Sequence, residues 1–236
     1  RSRLQKATMK LQKETEQAKT PHGRWYGDAC GTAFGLEILG ERWSLLIVRE
    51  LMFGPRRFSD IRAQLPGLSA KVLTERLSGL EASGVLRRHA APDPAPAQLY
   101  GLTAWGYAAE PIIQDLGRWA AASPLHDPTL PLSPAAFMLS LRTMLDGAAA
   151  RALTATVVFE IDRTQFTARL AGGAMPVERG AAASPDLRIE APAAPALAAM
   201  VYGKVPPDQA GVRCLGDPDL LRRFVDLFHL PQPVTD

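Results

Sequence analysis

Residues 58–80 read FSDIRAQLPGLSAKVLTERLSGL, and this stretch constrains the chain more than any other. Pro66-Gly67 interrupts it, because proline cannot extend a preceding helix and glycine favours a tight turn. Two short helices are therefore expected on either side. In the second, Leu73, Leu77 and Leu80 recur at helical spacing and form one apolar stripe that must pack inward. Lys71, Thr74, Glu75 and Ser78 fall on the opposite side. That outward face carries a cation, two hydroxyls and a carboxylate, groups of the kind that meet base edges in a major groove.

A helix, a tight turn and a second helix with this polarity follow the helix-turn-helix plan. Arg56 and Arg57 precede the first helix, Ser59 is expected to cap it, and both arginines are placed to grip phosphates. Ser69 is expected to cap the second helix, which also brings Val72 and Arg76 into the candidate DNA-contact set, and Ser83-Gly84 is expected to end it. Residues 85–90 and 98–102 then read as two strands joined by a tip containing Pro92, Pro94 and Pro96, the layout of a wing. Its Arg87, Arg88 and His89 fit a DNA backbone or minor groove as well as they fit a solvated basic edge that discourages strand pairing.

Upstream, residues 31–53 are expected to form two apolar helices broken near Gly40, with Trp43 as a central core residue and Gly54-Pro55 as the stop. Residues 1–27 form a polar, basic arm with a thin stripe at Leu4, Ala7, Leu11 and Ala18, and Trp25 and Tyr26 point to docking at its end. Downstream, Thr103 is expected to cap one helix over 104–122, whose Trp105, Ile112, Leu116 and Trp119 suit a dimer interface.

Charge follows the same division. Residues 1–125 hold 17 Lys/Arg against 12 Asp/Glu, a net of +5, whereas 126–236 hold 10 against 12, a net of −2. The basic excess lies with the candidate DNA-binding half. No run of 18 apolar residues exists, so no membrane partner is expected. The sequence opens RSRLQKATMK without a hydrophobic signal core, and Cys30 and Cys214 are too few for a disulfide scaffold; both observations point to a cytoplasmic protein.

From about Cys30 to Trp119 the chain resembles the HxlR family of winged helix-turn-helix regulators, relatives of the MarR group. The resemblance rests on Cys30, LEILGERWSLLIVREL, GPRRFSDI, LPGLSAKVLTERLSGLEASGVLRR and LYGLTAWG in that order. It implies a homodimer on double-stranded DNA, with one helix per subunit in successive major grooves of an inverted repeat. It also implies a redox or electrophile-sensing role for Cys30, against which stands the reading of a buried structural thiol. The long arm and a second domain depart from the family pattern.

Prolines 124, 128, 131 and 134 mark a linker over 124–134. A helix over 135–150, strands over 153–161, 165–170, 174–179, 186–190 and 212–215, and helices over 195–202 and 218–228 are expected to follow. This half is similar to sterol-carrier-protein-type lipid-binding domains, through the element order, PDLRIEAPAAPALAAMVYGK and GDPDLLRRFVDLF. The resemblance implies a sheet and helices around an apolar cavity. Phe137, Leu141, Met144, Phe159, Phe166, Met200, Phe224 and Phe228 are its candidate lining, and equally ordinary core residues.

The expected fold class is therefore α+β: a mainly helical winged helix-turn-helix domain (28–123) after an arm (1–27), then the linker and a ligand-binding-like α+β domain (135–236). No hydrolase, zinc-protease, phosphate-loop, dinucleotide or CxxC motif occurs, and His22, His89, His126 and His229 are scattered. Neither an enzyme, a cofactor nor a metal is expected. The leading expectation is a dimeric DNA-binding regulator modulated by a small hydrophobic effector. The alternatives are a lipid carrier that uses the winged helix for docking, and a thiol-based redox regulator acting through Cys30.

Overall fold

The computed structural model describes residues 26–90 and 98–234. The stripe proposed for residues 1–18, Trp25, and the prolines of the wing tip lie outside them. Helix α1 spans Gly31–Leu39 and α2 spans Ser44–Leu51. Gly40 parts them while keeping a helical backbone, and a Cβ there would sit 2.4 Å from the carbonyl oxygen of Leu36. A two-residue strand, β1 (Arg56–Arg57), leads into α3 (Phe58–Ala63) and then α4 (Ala70–Ala82). The wing is β2 (Leu86–Ala90) with β3 (Gln98–Leu102). β1 pairs on the outer edge of β3, so the small antiparallel sheet runs β1-β3-β2.

The single helix expected over 104–122 is two: α5 (Ala104–Tyr107) and α6 (Glu110–Ala121). Pro111 supplies the reason, because its nitrogen cannot donate to the carbonyl of Tyr107 and the ladder cannot run through. Thr103 caps α5 by accepting from the Gly106 amide. The helix expected over 135–150 also divides, into α7 (Pro134–Met144) and α8 (Gly147–Ala150). Leu145 is extended between them, and the Asp146 carboxylate accepts from the Ala148 and Ala149 amides to restart the helix.

Strands β4 (Ala155–Ile161), β5 (Thr164–Leu170), β6 (Val177–Arg179), β7 (Leu187–Ala191) and β8 (Arg213–Gly216) form the second sheet in the order β6-β5-β4-β7-β8. Only β4 and β7 run parallel; the other pairs are antiparallel. Helices α9 (Ala194–Val201) and α10 (Pro218–Val225) complete the layer over it. Val157, Phe159 and Ile161 share a face with Phe166, Ala168, Leu187 and Ile189, and all are buried. The chain is thus a mixed α and β protein, with a winged-helix half followed by a sheet half.

The two halves meet over a continuous apolar core. Phe53, at the end of α2, packs edge-on against Phe166 of β5 at 5.5 Å. Beside this contact lies a buried polar junction. Glu50 is fully buried, and its carboxylate accepts from Arg49, from Arg56 at 3.2 Å, and from the Ser133 hydroxyl at 2.5 Å. Ser133 also caps α7 by accepting from the Ala136 amide. One carboxylate therefore ties α2, β1 and the first turn of α7 together.

Of the two readings open for eight side chains, cavity lining and ordinary core packing, their placement agrees with core packing. Phe137, Leu141, Phe159, Phe166, Met200, Phe224 and Phe228 are all at most 2% exposed, and Met144 is partly exposed. Phe137 meets Phe159, Phe159 meets Phe224, and Phe224 meets Phe228 with ring centroids 5.1–6.3 Å apart. Rings at that spacing fill the space between sheet and helices, so these residues act as one another's packing partners.

Candidate nucleic-acid interface

Helix α4 sits with its leucines inward: Leu73, Leu77 and Leu80 are at most 1% exposed. Truncating any one to alanine costs about 2–5 kcal/mol in such a position. Ser69 caps the helix by accepting from the Val72 amide at 3.2 Å. Gly67 takes φ +84° in the turn before it, a conformation that L side chains rarely adopt. The Trp43 ring closes over that glycine. Trp43 has a left-handed backbone and is only half-buried, so it braces the turn from the side and does not fill the centre of the core.

Lys71, Thr74, Glu75 and Ser78 are exposed on the outer face of α4, and Ser69 is exposed at its start. The Thr74 hydroxyl donates to the Ala70 carbonyl, so it faces outward as an acceptor with its methyl group beside it. Arg57 is exposed at the N-terminus of α3, and Arg87 is exposed on the wing. These seven exposed side chains, mostly cationic or hydroxyl-bearing, come from β1, the turn before α4, α4 itself and β2.

Other expected contacts are placed differently. Arg56 points inward to Glu50, with its side chain only 12% exposed. Ser59 is exposed but does not cap α3; Arg57 holds the capping position, and the Ser59 hydroxyl turns to the Asp60 carboxylate. Val72 packs against the core. Arg76 bridges to Glu41 at 2.9 Å and donates to the Arg42 carbonyl, tethering α4 to the α1–α2 junction. Arg88 pairs with Glu81 at 2.8 Å and lies over the Tyr100 ring. His89 is half-buried above Gly101 and Pro55, and its Nε2 is buried without a hydrogen-bond partner among the described residues. Arg56, Arg76, Arg88 and His89 are long or bulky enough to reach their own scaffold, whereas Ser59 is taken up by its neighbour Asp60 and Val72 is apolar.

Sequence reading missed the junction behind this surface. Arg179 of β6 lies over the Phe166 ring at 4.9 Å, with Nε and Nη2 buried and unpartnered among the described residues. Burial lowers its pKa to about 10; the charge of Arg56 adds to the shift, and Glu50 and Asp60 oppose it. The second half therefore reaches to within electrostatic range of the β1–α3 entry. No spacing in the sequence connects residues 50, 133 and 179.

Two further surfaces flank the motif. On α5 and α6, Trp105, Ile112, Leu116 and Trp119 are 45–76% exposed, as is Leu36 of α1 at 50%. No residue of α6 is buried. Cys30 precedes α1 and is exposed. The Thr32 and Ala33 amides and the Thr32 hydroxyl stabilise its thiolate and lower its pKa. Cys214 is partly buried, and burial raises its pKa. Among the described residues no group of three or more His, Cys, Asp or Glu is arranged to hold a metal ion, and no helix is long and apolar enough to cross a membrane.

Residues 38–126 match the family model of the HxlR-like helix-turn-helix. The chain is 45% identical over 85 residues to the uncharacterized HTH-type transcriptional regulator YvaP of Bacillus subtilis, covering 36% of this chain and 79% of YvaP. The chain belongs to the HxlR-like helix-turn-helix family. It is also 39% identical over 89 residues to the HTH-type transcriptional regulator YodB of the same organism, covering 38% of this chain and 78% of YodB. The reduced form of YodB superposes with a TM-score of 0.38 at 33% identity, covering 42% of this chain and all of YodB. The family match ends at residue 126, so the second sheet lies outside the shared helix-turn-helix.

Proposed function

We propose that this HxlR-like chain is a DNA-binding transcriptional regulator that acts as a homodimer on an inverted-repeat operator. Residues 28–123 form the DNA-binding half, 124–134 the connection, and 135–236 a regulatory half that resembles sterol-carrier domains in its element order. The single observation that carries this reading is the division of α4, with leucines buried on one side and Lys71, Thr74, Glu75 and Ser78 exposed on the other. Arg57, Ser69 and Arg87 supply contacts to the phosphates on either flank, and they position the helix without reading sequence. The apolar face of α6 pairs with its copy and sets the two recognition helices about one helical turn apart.

The deciding experiment is a gel-shift titration with DNA from upstream of the protein's own gene. Replacing Lys71 and Thr74 together by alanine is expected to weaken specific binding by roughly 1–3 kcal/mol for each base that is no longer read. Unchanged affinity in that double variant refutes the assignment.

A second reading is favoured by Cys30, whose exposed thiol has its thiolate stabilised by the first turn of α1. Reaction of this thiol with an electrophile places a new group beside the exposed face of α1 and α6, where the dimer is proposed to form. In this reading DNA release responds to the electrophile in the native chain and not in Cys30→Ser.

A further inference from the structure

A cleft of about 670 Å³ opens where the winged-helix half meets the sheet half. One wall is the α5–α6 corner, with Tyr107, Glu110 and Gln114; the other is the end of α7 and the turn after β5, with Arg142, Leu145 and Met175. The volume falls within the range of small-molecule sites, roughly 300–1,000 Å³. Both halves of the chain border it, and it lies apart from the interlocked rings of the sheet domain.

A polar cluster links the two walls of the cleft. Arg142 Nη2 forms an ion pair with Glu110 Oε1 at 2.9 Å, and Gln114 Nε2 donates to the same oxygen at 3.1 Å. The two charged side chains are 27% and 15% exposed, so both still present part of themselves to the cleft. Their charges cancel. Both contacts use Oε1, which leaves Oε2 as an acceptor and the remaining guanidinium N–H groups as donors. A charged guest would meet a like charge within reach, whereas a neutral group with one donor and one acceptor meets a complement to each. Tyr107, Leu145 and Met175 supply apolar surface beside that polar point.

We propose that this cleft is the effector site, and that its ligand is an uncharged amphiphile whose polar end carries a donor and an acceptor, as an amide or a phenol does. Such a guest touches α6 and the β5–β6 turn at once. It therefore binds with different affinity to arrangements that differ in how the halves sit, and biases α6, the helix proposed to pair the subunits. The role as effector site rests on the DNA-binding reading above; occupancy of the cleft does not.

The test uses the full chain and 4-phenylphenol as the probe, followed by saturation-transfer NMR and calorimetry. Saturable binding is expected, weakened at least tenfold in Ala174→Trp, which fills the cleft from an exposed lining position. Pro176→Trp fills it from the neighbouring exposed position and decides the matter if circular dichroism shows the first variant unfolded. Leu215→Ser, on the exposed edge strand β8 away from the cleft, is expected to leave the affinity unchanged. Absence of saturable binding, equal affinity in the folded cleft-filling variants, or loss of binding in Leu215→Ser overturns the proposal. In a parallel gel shift, 4-phenylphenol is expected to change operator affinity in the native chain and not in Ala174→Trp. If the chain binds no DNA at all, the regulator reading fails while the occupancy result stands.

Discussion

Glu50 offers the sharpest test of how the two halves are joined. Its carboxylate is fully buried and is held by Arg49, Arg56 and the Ser133 hydroxyl. Glu50→Gln keeps the shape and removes the charge, leaving the Arg56 guanidinium, only 12% exposed, without its anion. Breaking a buried pair in this way costs about 3–5 kcal/mol. Arg49 is 22% exposed and can recover some hydration, so the lower end, about 3 kcal/mol, is expected. For a chain of this size that corresponds to a fall in Tm of roughly 6–12 °C. Ser133→Ala removes a charge-assisted hydrogen bond, about 1.5–3 kcal/mol, and a helix cap, about 1 kcal/mol. Because Glu50→Gln strips the charge from the same hydrogen bond that Ser133→Ala deletes, the double variant is expected to lose less than the sum, by about 1–2 kcal/mol. Urea unfolding followed by tryptophan fluorescence measures all three variants. A loss below about 1 kcal/mol for Glu50→Gln, or strict additivity, refutes the junction as described.

Arg57→Ala is expected to weaken binding to all DNA sequences alike and to reduce the slope of log affinity against log salt by about one, measured by fluorescence anisotropy. Ile112→Ser with Trp119→Ser exposes no new core, since both residues are already exposed, and is expected to shift sedimentation toward monomer with little change in unfolding. At pH 7.5 iodoacetamide is expected to label Cys30 well before Cys214 by mass spectrometry, because the first thiol is shifted toward its thiolate and the second away from it. Burial raises the pKa of Glu110, with Arg142 opposing, so the native state holds that proton to higher pH than the unfolded chain does. Stability therefore falls as pH rises through the window between the two values, and Glu110→Gln is expected to flatten that slope in pH-resolved thermal melts.

Local signals in the sequence carried the helix-turn-helix. The leucine spacing, Pro66-Gly67 and the Ser69 cap are each read within one or two helical turns, and each has its expected place in the structure. Helix boundaries were less legible. The breaks before α6 and α8 depend on a missing proline donor and on the Asp146 cap, against residues that otherwise favour helix. β1 was invisible because two residues carry no alternation; it exists only because β3 lies beside it. Side-chain direction was the hardest property to read. Arg56 and Arg57 are adjacent and chemically alike, yet one is buried on Glu50 and the other faces solvent. Adjacent strand residues face opposite ways, and the inward one is held by Glu50, whose carboxylate is fixed by Ser133 far along the chain. The same remoteness hid the interdomain cleft, whose walls come from α5, α6, α7 and the β5–β6 turn.

The central claim is that the outer face of α4 reads DNA in two copies. A hydroxyl-radical and methylation footprint of the native chain on its own upstream DNA tests it most directly. Two protected major-groove patches centred about one helical turn, roughly 10–10.5 base pairs, apart are predicted, and both vanish in the Lys71→Ala/Thr74→Ala variant. A single patch, protection confined to the minor groove, or a footprint that survives the double substitution would contradict it.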